Sequence, residues 1–123
     1  MKLTNYEMSR RLGQLGQVLD RADLIGYAAA RNTRVLREAC SEYLQMQDAL
    51  VRELGEPETD GEGAETGAYR LDFASPNFPE FARRMDEIAP IESEIEVFRI
   101  RVDEAIGKLS GTQLLELDWM FED

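Results

Sequence analysis

The chain has no histidine and a single cysteine, Cys40, and these two shortages remove much familiar chemistry. Without histidine there is no Ser–His or Cys–His nucleophile pair, and the commonest general base and metal ligand is missing. One cysteine can neither close an internal disulfide nor fill a tetrahedral zinc site. Long apolar runs are lacking as well. None approaches the ~18–20 residues of a membrane span, and Met1–Leu12 has no apolar centre of the kind a signal peptide needs. The expected location is therefore cytoplasmic, with no membrane partner. Basic residues are scarce from Gly55 onward. Gly61, Gly63 and Gly67 lie among carboxylates and follow no predicted strand, so they do not read as a phosphate loop. No enzyme, cofactor or metal is expected.

What the chain has is charge of one sign, unevenly placed. Up to Leu54 eight Lys/Arg stand against seven Asp/Glu, and from Gly55 six stand against eighteen, within a total of −11. Such a surface repels nucleic acid and attracts basic partners. The 123 residues, 43% hydrophobic and 32% charged, read as one folded domain over 1–123 rather than a disordered chain.

Thr4 and Glu7 form a capping box that starts a helix, with Met8, Leu12, Leu15 and Leu19 on one face. Gly13 and Gly16 offer a place for another helix to approach. After a polar break at Asp20–Asp23, a long helix is predicted to about Glu53. Leu36, Tyr43 and Leu50 recur there every seven residues, Cys40 flanks the apolar face, and Gly55 and Pro57 stop the helix. The two helices form an antiparallel hairpin over 1–54, expected to bury Leu12, Leu15, Leu36, Tyr43 and Leu50 together.

Residues 55–68 hold nothing bulky and read as an acidic flexible loop. Beyond it, 69–123 reads as a small acidic α+β part. Tyr69–Phe73 alternates as a strand, and Phe78, Phe81, Met85 and Ile88 mark a short helix. Ile91–Val102 reads as a bulged strand paired with Tyr69–Phe73, although a helix over 91–107 remains open. Ser110 and Gln113 cap a last short helix bearing Leu114, Leu117 and Phe121. The predicted fold is thus α+β: a long antiparallel helical hairpin packed with a small antiparallel sheet and two short helices.

Few residues suggest chemistry. Asp60, Glu62 and Glu65 lack the spacing of a calcium loop. Arg10, Arg11, Arg21, Arg31, Arg34 and Arg37 lack the aromatic partners of a nucleic-acid site and read as ion-pair donors, so direct nucleic-acid binding is not expected. Contact surfaces are better supported. Glu92, Glu94 and Glu96 would share one strand face, either as a protein-binding surface or as solvated charge that discourages edge pairing. Trp119, Met120 and Phe121 would serve as an interface anchor or as a lid on the core. For a homodimer, the nearly neutral hairpin is the expected meeting surface, through Leu24, Ile25 and Tyr27.

The opening Leu3-Thr4-Asn5, the run Tyr27-Ala28-Ala29-Ala30-Arg31-Asn32, Leu36, Glu38, Leu54-Gly55-Glu56, Phe78 and the Glu-Ile-Glu-Val segment at 94–97 form an ordered pattern. With the acidic end, it resembles a family of small, uncharacterised proteins encoded in tailed phages and prophages, chiefly of Gram-positive bacteria. The resemblance implies a phage origin and an intracellular role, and it carries over no catalytic residue. The expected function is that of a non-enzymatic accessory protein that binds another protein, in virion assembly or in interference with a host process. The alternative is an acidic DNA mimic that inhibits a host defence nuclease, in the manner of an anti-CRISPR or anti-restriction protein.

Overall fold

A computed structural model describes residues 1–123. The fold is α+β, with five helices and about 52% helix and 16% strand. Two compact units divide the chain, one of Met1–Cys40 with Glu92–Asp123 and one of Ser41–Ile91.

The first unit starts with β1 (Lys2–Thr4) and α1 (Asn5–Leu15), joined through the expected capping box. Thr4 Oγ1 accepts from the Glu7 N–H at 3.1 Å, and Glu7 Oε1 accepts from the Thr4 N–H at 3.3 Å. After a turn, Asp23 caps α2 (Leu24–Ala39). The two helices pack on each other, and Met8, Leu15, Ile25, Ala28, Ala29 and Leu36 are fully buried. Leu12 is only half-buried. No other helix approaches at Gly13 or Gly16; the glycine in close contact is Gly26, against the turn before α2. A Cβ on Gly26 would lie 1.8 Å from the Arg21 carbonyl oxygen, whereas nothing lies within 4 Å of one on Gly13. Gly26→Ala should therefore cost about 1–3 kcal/mol, the overpacking range, read as a lower urea midpoint. Gly13→Ala should not destabilise.

Asp23 also ties the turn to the helix. Its carboxylate accepts from the Arg21 guanidinium at 2.7 Å and from the Gly26 N–H at 3.2 Å. The Arg21 hydrogen bond first, then that from Gly26, holds its pKa below the ordinary 3.8. A depressed carboxyl stabilises the fold fully above its unfolded pKa, and that contribution is lost as pH falls through the folded value. Asp23→Asn keeps a capping side chain but removes the charge. It should lower the unfolding midpoint at pH 7 and change it less near pH 2, a difference that thermal melts at both pH values would show.

The predicted helix to Glu53 is interrupted. Cys40, at φ −117° and ψ 26°, leaves helical dihedrals, and α3 (Ser41–Leu54) begins beyond it. Neither glycine nor proline marks the break; Cys40 is itself 1% exposed and sits among the core residues. The heptad positions Leu36, Tyr43 and Leu50 are all buried, but on two helices rather than one.

The strand at Glu92 also has a different partner from the predicted one. β4 (Glu92–Glu94) pairs antiparallel with β1, Lys2 opposite Glu94 and Thr4 opposite Glu92. Leu3, opposite Ser93 in that pairing, is 3% exposed. The chain continues through β5 (Ile100–Arg101). A 3₁₀ turn at Val102–Glu104 follows, so 91–107 is not an α-helix. The Ser110–Gln113 capping box forms and starts α5 (Gly111–Glu116). Phe121 lies beyond that helix in β6 (Phe121–Glu122), which runs parallel to β5.

In the second unit, α3 buries Tyr43 and Leu50. The predicted acidic loop is a β-hairpin instead. β2 (Glu56–Thr59) and β3 (Glu65–Arg70) pair antiparallel although every residue in them is exposed. Turn hydrogen bonding supplies the order that apolar burial could not. Asp60 Oδ1 accepts from the Glu62 N–H at 2.8 Å and the Ala64 N–H at 3.0 Å. Gly63, at φ +84°, takes a backbone conformation that other residues adopt at a cost. The strand predicted at Tyr69–Phe73 therefore starts earlier and ends at Arg70. α4 (Phe78–Ile88) forms as predicted, with Pro79 in its first turn. No helix of either unit is long and apolar enough to cross a membrane.

Candidate functional site

α2 and the segment from Glu94 to Phe98 create a cleft of about 690 Å³ within the first unit. Arg31, Val35, Glu38 and Ala39 line one wall, and Glu94 to Phe98 line the other. The helical spacing of 31, 35, 38 and 39 places those four side chains on a single stripe of α2. The adjoining stripe carries Ile25, Ala29 and Leu36 into the core, so the first set lies along its margin, with Val35 and Ala39 half-buried and Arg31 and Glu38 exposed.

Asn32 fixes one end of this cleft. It is 1% exposed, and its side-chain amide bonds to the Phe98 backbone in both directions. Nδ2 donates to the Phe98 carbonyl at 2.9 Å, and Oδ1 accepts from the Phe98 N–H at 2.7 Å. The amide thus does what a neighbouring strand would do, and satisfies backbone groups that would otherwise be costly to bury. Between Ile95 and Phe98 the chain passes from its β1 partner to this side chain. Seven residues after Ile25 and four before Leu36, Asn32 is a polar residue in an apolar stripe. That position was the signal for it.

Next to the clamp, Tyr27 meets Phe98 edge-on with ring centres 5.7 Å apart. The Arg31 guanidinium lies 4.8 Å from the Phe98 ring centre and donates to the Tyr27 hydroxyl at 3.3 Å. This end of the cleft is aromatic and positive. The other end is acidic, with Glu38, Glu94 and Glu96 all exposed.

The predicted contact residues separate into three places. Glu94 and Glu96 line the cleft, but Glu92 does not, and the strand ends at Glu94, which leaves Glu96 outside the regular pleat. Glu94 Oε1 also pairs with the Met1 amino group at 3.1 Å. Tyr27 is 53% exposed beside the cleft and Leu24 is 40% exposed, but Ile25 is fully buried. Ile25 is therefore removed from the predicted dimer surface, because it lies one residue round from Leu24 on the core-facing stripe. Met120 is likewise fully buried, and Trp119 and Phe121 are half-buried. The Trp119 Nε1–H donates to Gln14 Oε1 at 3.3 Å, and the Arg11 guanidinium lies 4.9 Å from the Trp119 ring centre. Burial, ahead of the repulsion from Arg99, lowers the Arg11 pKa from its ordinary value. Phe121 pairs with Ile100. These three residues close the first unit's core, as a lid does.

The chain has no match. No family model, curated protein or solved structure matches it. No three carboxylate or thiol side chains converge where they could hold a metal ion.

Proposed function

We propose that the chain is a non-enzymatic accessory protein of a tailed phage or prophage, and that it acts by binding another protein in the α2 cleft. The phage origin rests on the sequence pattern running from Leu3-Thr4-Asn5 to Glu94–Val97. The contact surface rests on one observation. Val35, Ala39 and Phe98 give an apolar lining, and Glu38, Glu94 and Glu96 place carboxylates at one end. Apolar area with a charged margin is the make-up of a protein contact. Catalysis by paired carboxylates needs one acid enclosed so that its pKa rises, and these three carboxylates are exposed. The role of such contact is virion assembly or interference with a host process.

A DNA mimic draws less support. Alternate strand residues repeat at roughly 6.6–7 Å, close to the phosphate spacing of a duplex strand. Here regular pleating covers only Glu92 to Glu94, and Lys2 stands opposite Glu94.

Co-purification from cells that express the tagged chain tests the reading. A partner held by the wild type should be lost with Val35→Arg and kept with Leu115→Ser, a change at a residue 80% exposed and outside the cleft. Equal capture by both variants would place the contact elsewhere. Displacement of the partner by duplex DNA would favour the mimic.

A further inference from the structure

We infer, resting on the cleft-binding reading above, that the occupant is an extended lysine- or arginine-rich segment of the partner that adds as a strand to the open edge at Glu94–Glu96. Three observations carry this. The first is that β4 has a partner on one edge only, since its sheet contains β1 and β4 alone. The second is the direction of the backbone. The Ile95 N–H donates to the Met1 carbonyl at 2.9 Å, and the Met1 amino group donates to the Ile95 carbonyl at 2.8 Å. Ile95 thus spends both backbone groups on the β1 side. Phe98 spends both of its own on Asn32, on the α2 side. Backbone groups alternate sides with a period of two along a strand. Glu94, opposite Lys2 and next to the bonded Ile95, therefore directs its N–H and C=O groups away from β1, and Glu96 lies beyond the regular pleat, between Ile95 and Phe98, whose groups face opposite sides. The Asn32 amide already occupies one position of the row that an added strand would occupy.

The third observation is charge. Glu96 beside the edge and Glu38 on the facing helix bring exposed carboxylates to the cleft, and the Glu94 carboxylate lines it while paired with the Met1 amino group. The one basic group of the lining, Arg31, is engaged at the Phe98 end with the aromatic rings. Cross-strand neighbours of opposite charge favour pairing and like charges oppose it. The edge accordingly selects a strand with basic residues at alternate positions, and it rejects a second copy of its own acidic edge. From Glu94 to Phe98 an extended chain covers about 13 Å, so the segment recognised is short. Main-chain bonds would supply affinity and the alternate side chains specificity, as in other strand-addition complexes.

The probe is a fluorescein-labelled peptide of alternating Lys and Val, six residues long, read by anisotropy against the full chain. Two further peptides carry N-methyl groups on one or the other set of alternate amides. A strand added to the edge needs one set only. One methylated peptide should bind about tenfold more weakly or worse, and the other should bind within about twofold of the parent. A Glu/Val peptide should bind at least about tenfold more weakly than the Lys/Val one, and Glu94→Gln/Glu96→Gln should remove most of that preference. Equal effects of both methylated sets would overturn strand addition, as would equal binding of acidic and basic peptides or no binding of any peptide. None of those results touches the cleft itself. That reading falls only if Val35→Arg leaves the captured partner in place.

Discussion

Ile25→Glu is expected to abolish folding of the unit formed by Met1–Cys40 and Glu92–Asp123. Ile25 is 0% exposed, on the stripe of α2 that faces the core. The substitution removes a buried aliphatic side chain and leaves a carboxylate without a partner, at a combined cost of about 5 kcal/mol or more. Domains of this size have about 5–15 kcal/mol in total, so most of the stability is lost. Tyr27→Glu, two residues away and on the exposed stripe, should cost about 1 kcal/mol, the worth of the aromatic contact with Phe98. Urea titrations followed by circular dichroism separate the two. A folded Ile25→Glu protein with an unchanged midpoint would refute the core assignment. The pair also shows which position probes assembly. A charge at Tyr27 tests whether this face meets a second copy, whereas a charge at Ile25 reports only on folding.

The second large effect is at Asn32. Truncation to Ala leaves the Phe98 N–H and C=O without their partners in a partly buried place. Two such groups together cost about 2–4 kcal/mol. Asn32→Asp should not rescue the loss. It preserves the acceptor for the Phe98 N–H, but it replaces the donor to the carbonyl with a second oxygen and buries a charge. Asn32→Ser, too short to reach both groups, should fall near Ala. If instead Asn32→Ala matched the wild-type urea midpoint, the amide would not be holding the 94–98 segment. The cleft would then lose its fixed end.

Residues that act through local chemistry were legible in the sequence. The capping boxes at Thr4/Glu7 and Ser110/Gln113 involve side chains three positions apart and need no knowledge of the fold. The amphipathic stripes of α1 and α4 also appeared, because a helix of period 3.6 must hide one face, whereas α2 was read with Ile25 on an outer surface and buries it. The class followed from these elements, and it is α+β. What depends on contacts between distant residues was not visible. Alternation at Glu92–Glu96 marks a strand but cannot say that Lys2–Thr4, some 90 positions earlier, is its partner. The hairpin of β2 and β3 escaped a reading based on burial because it buries nothing; its order comes from Asp60 and glycine turns. Cys40 breaks the helix with no glycine or proline to announce it. The site was half legible. Glu94 and Glu96 stood out by charge and spacing, while Asn32 looked like an ordinary polar residue until its two bonds to Phe98 were seen. Both units are acidic, so the charge contrast along the chain is shared out between them. Ser41–Ile91 holds four basic residues against twelve acidic ones, and the other unit ten against thirteen.

Amide hydrogen exchange, resolved by NMR, reaches the cleft edge directly. In the free protein the Ile95 and Phe98 amides should be protected, since one bonds to the Met1 carbonyl and the other to Asn32. Those of Glu94, turned away from β1, and Glu96, beyond the regular pleat, should exchange fast. With saturating Lys/Val peptide, the Glu94 and Glu96 amides should slow together while Ile95 and Phe98 remain protected. Fast exchange at Glu94 and Glu96 in the saturated complex, with slowing confined to amides of Ser41–Ile91, would contradict a binding edge at this cleft.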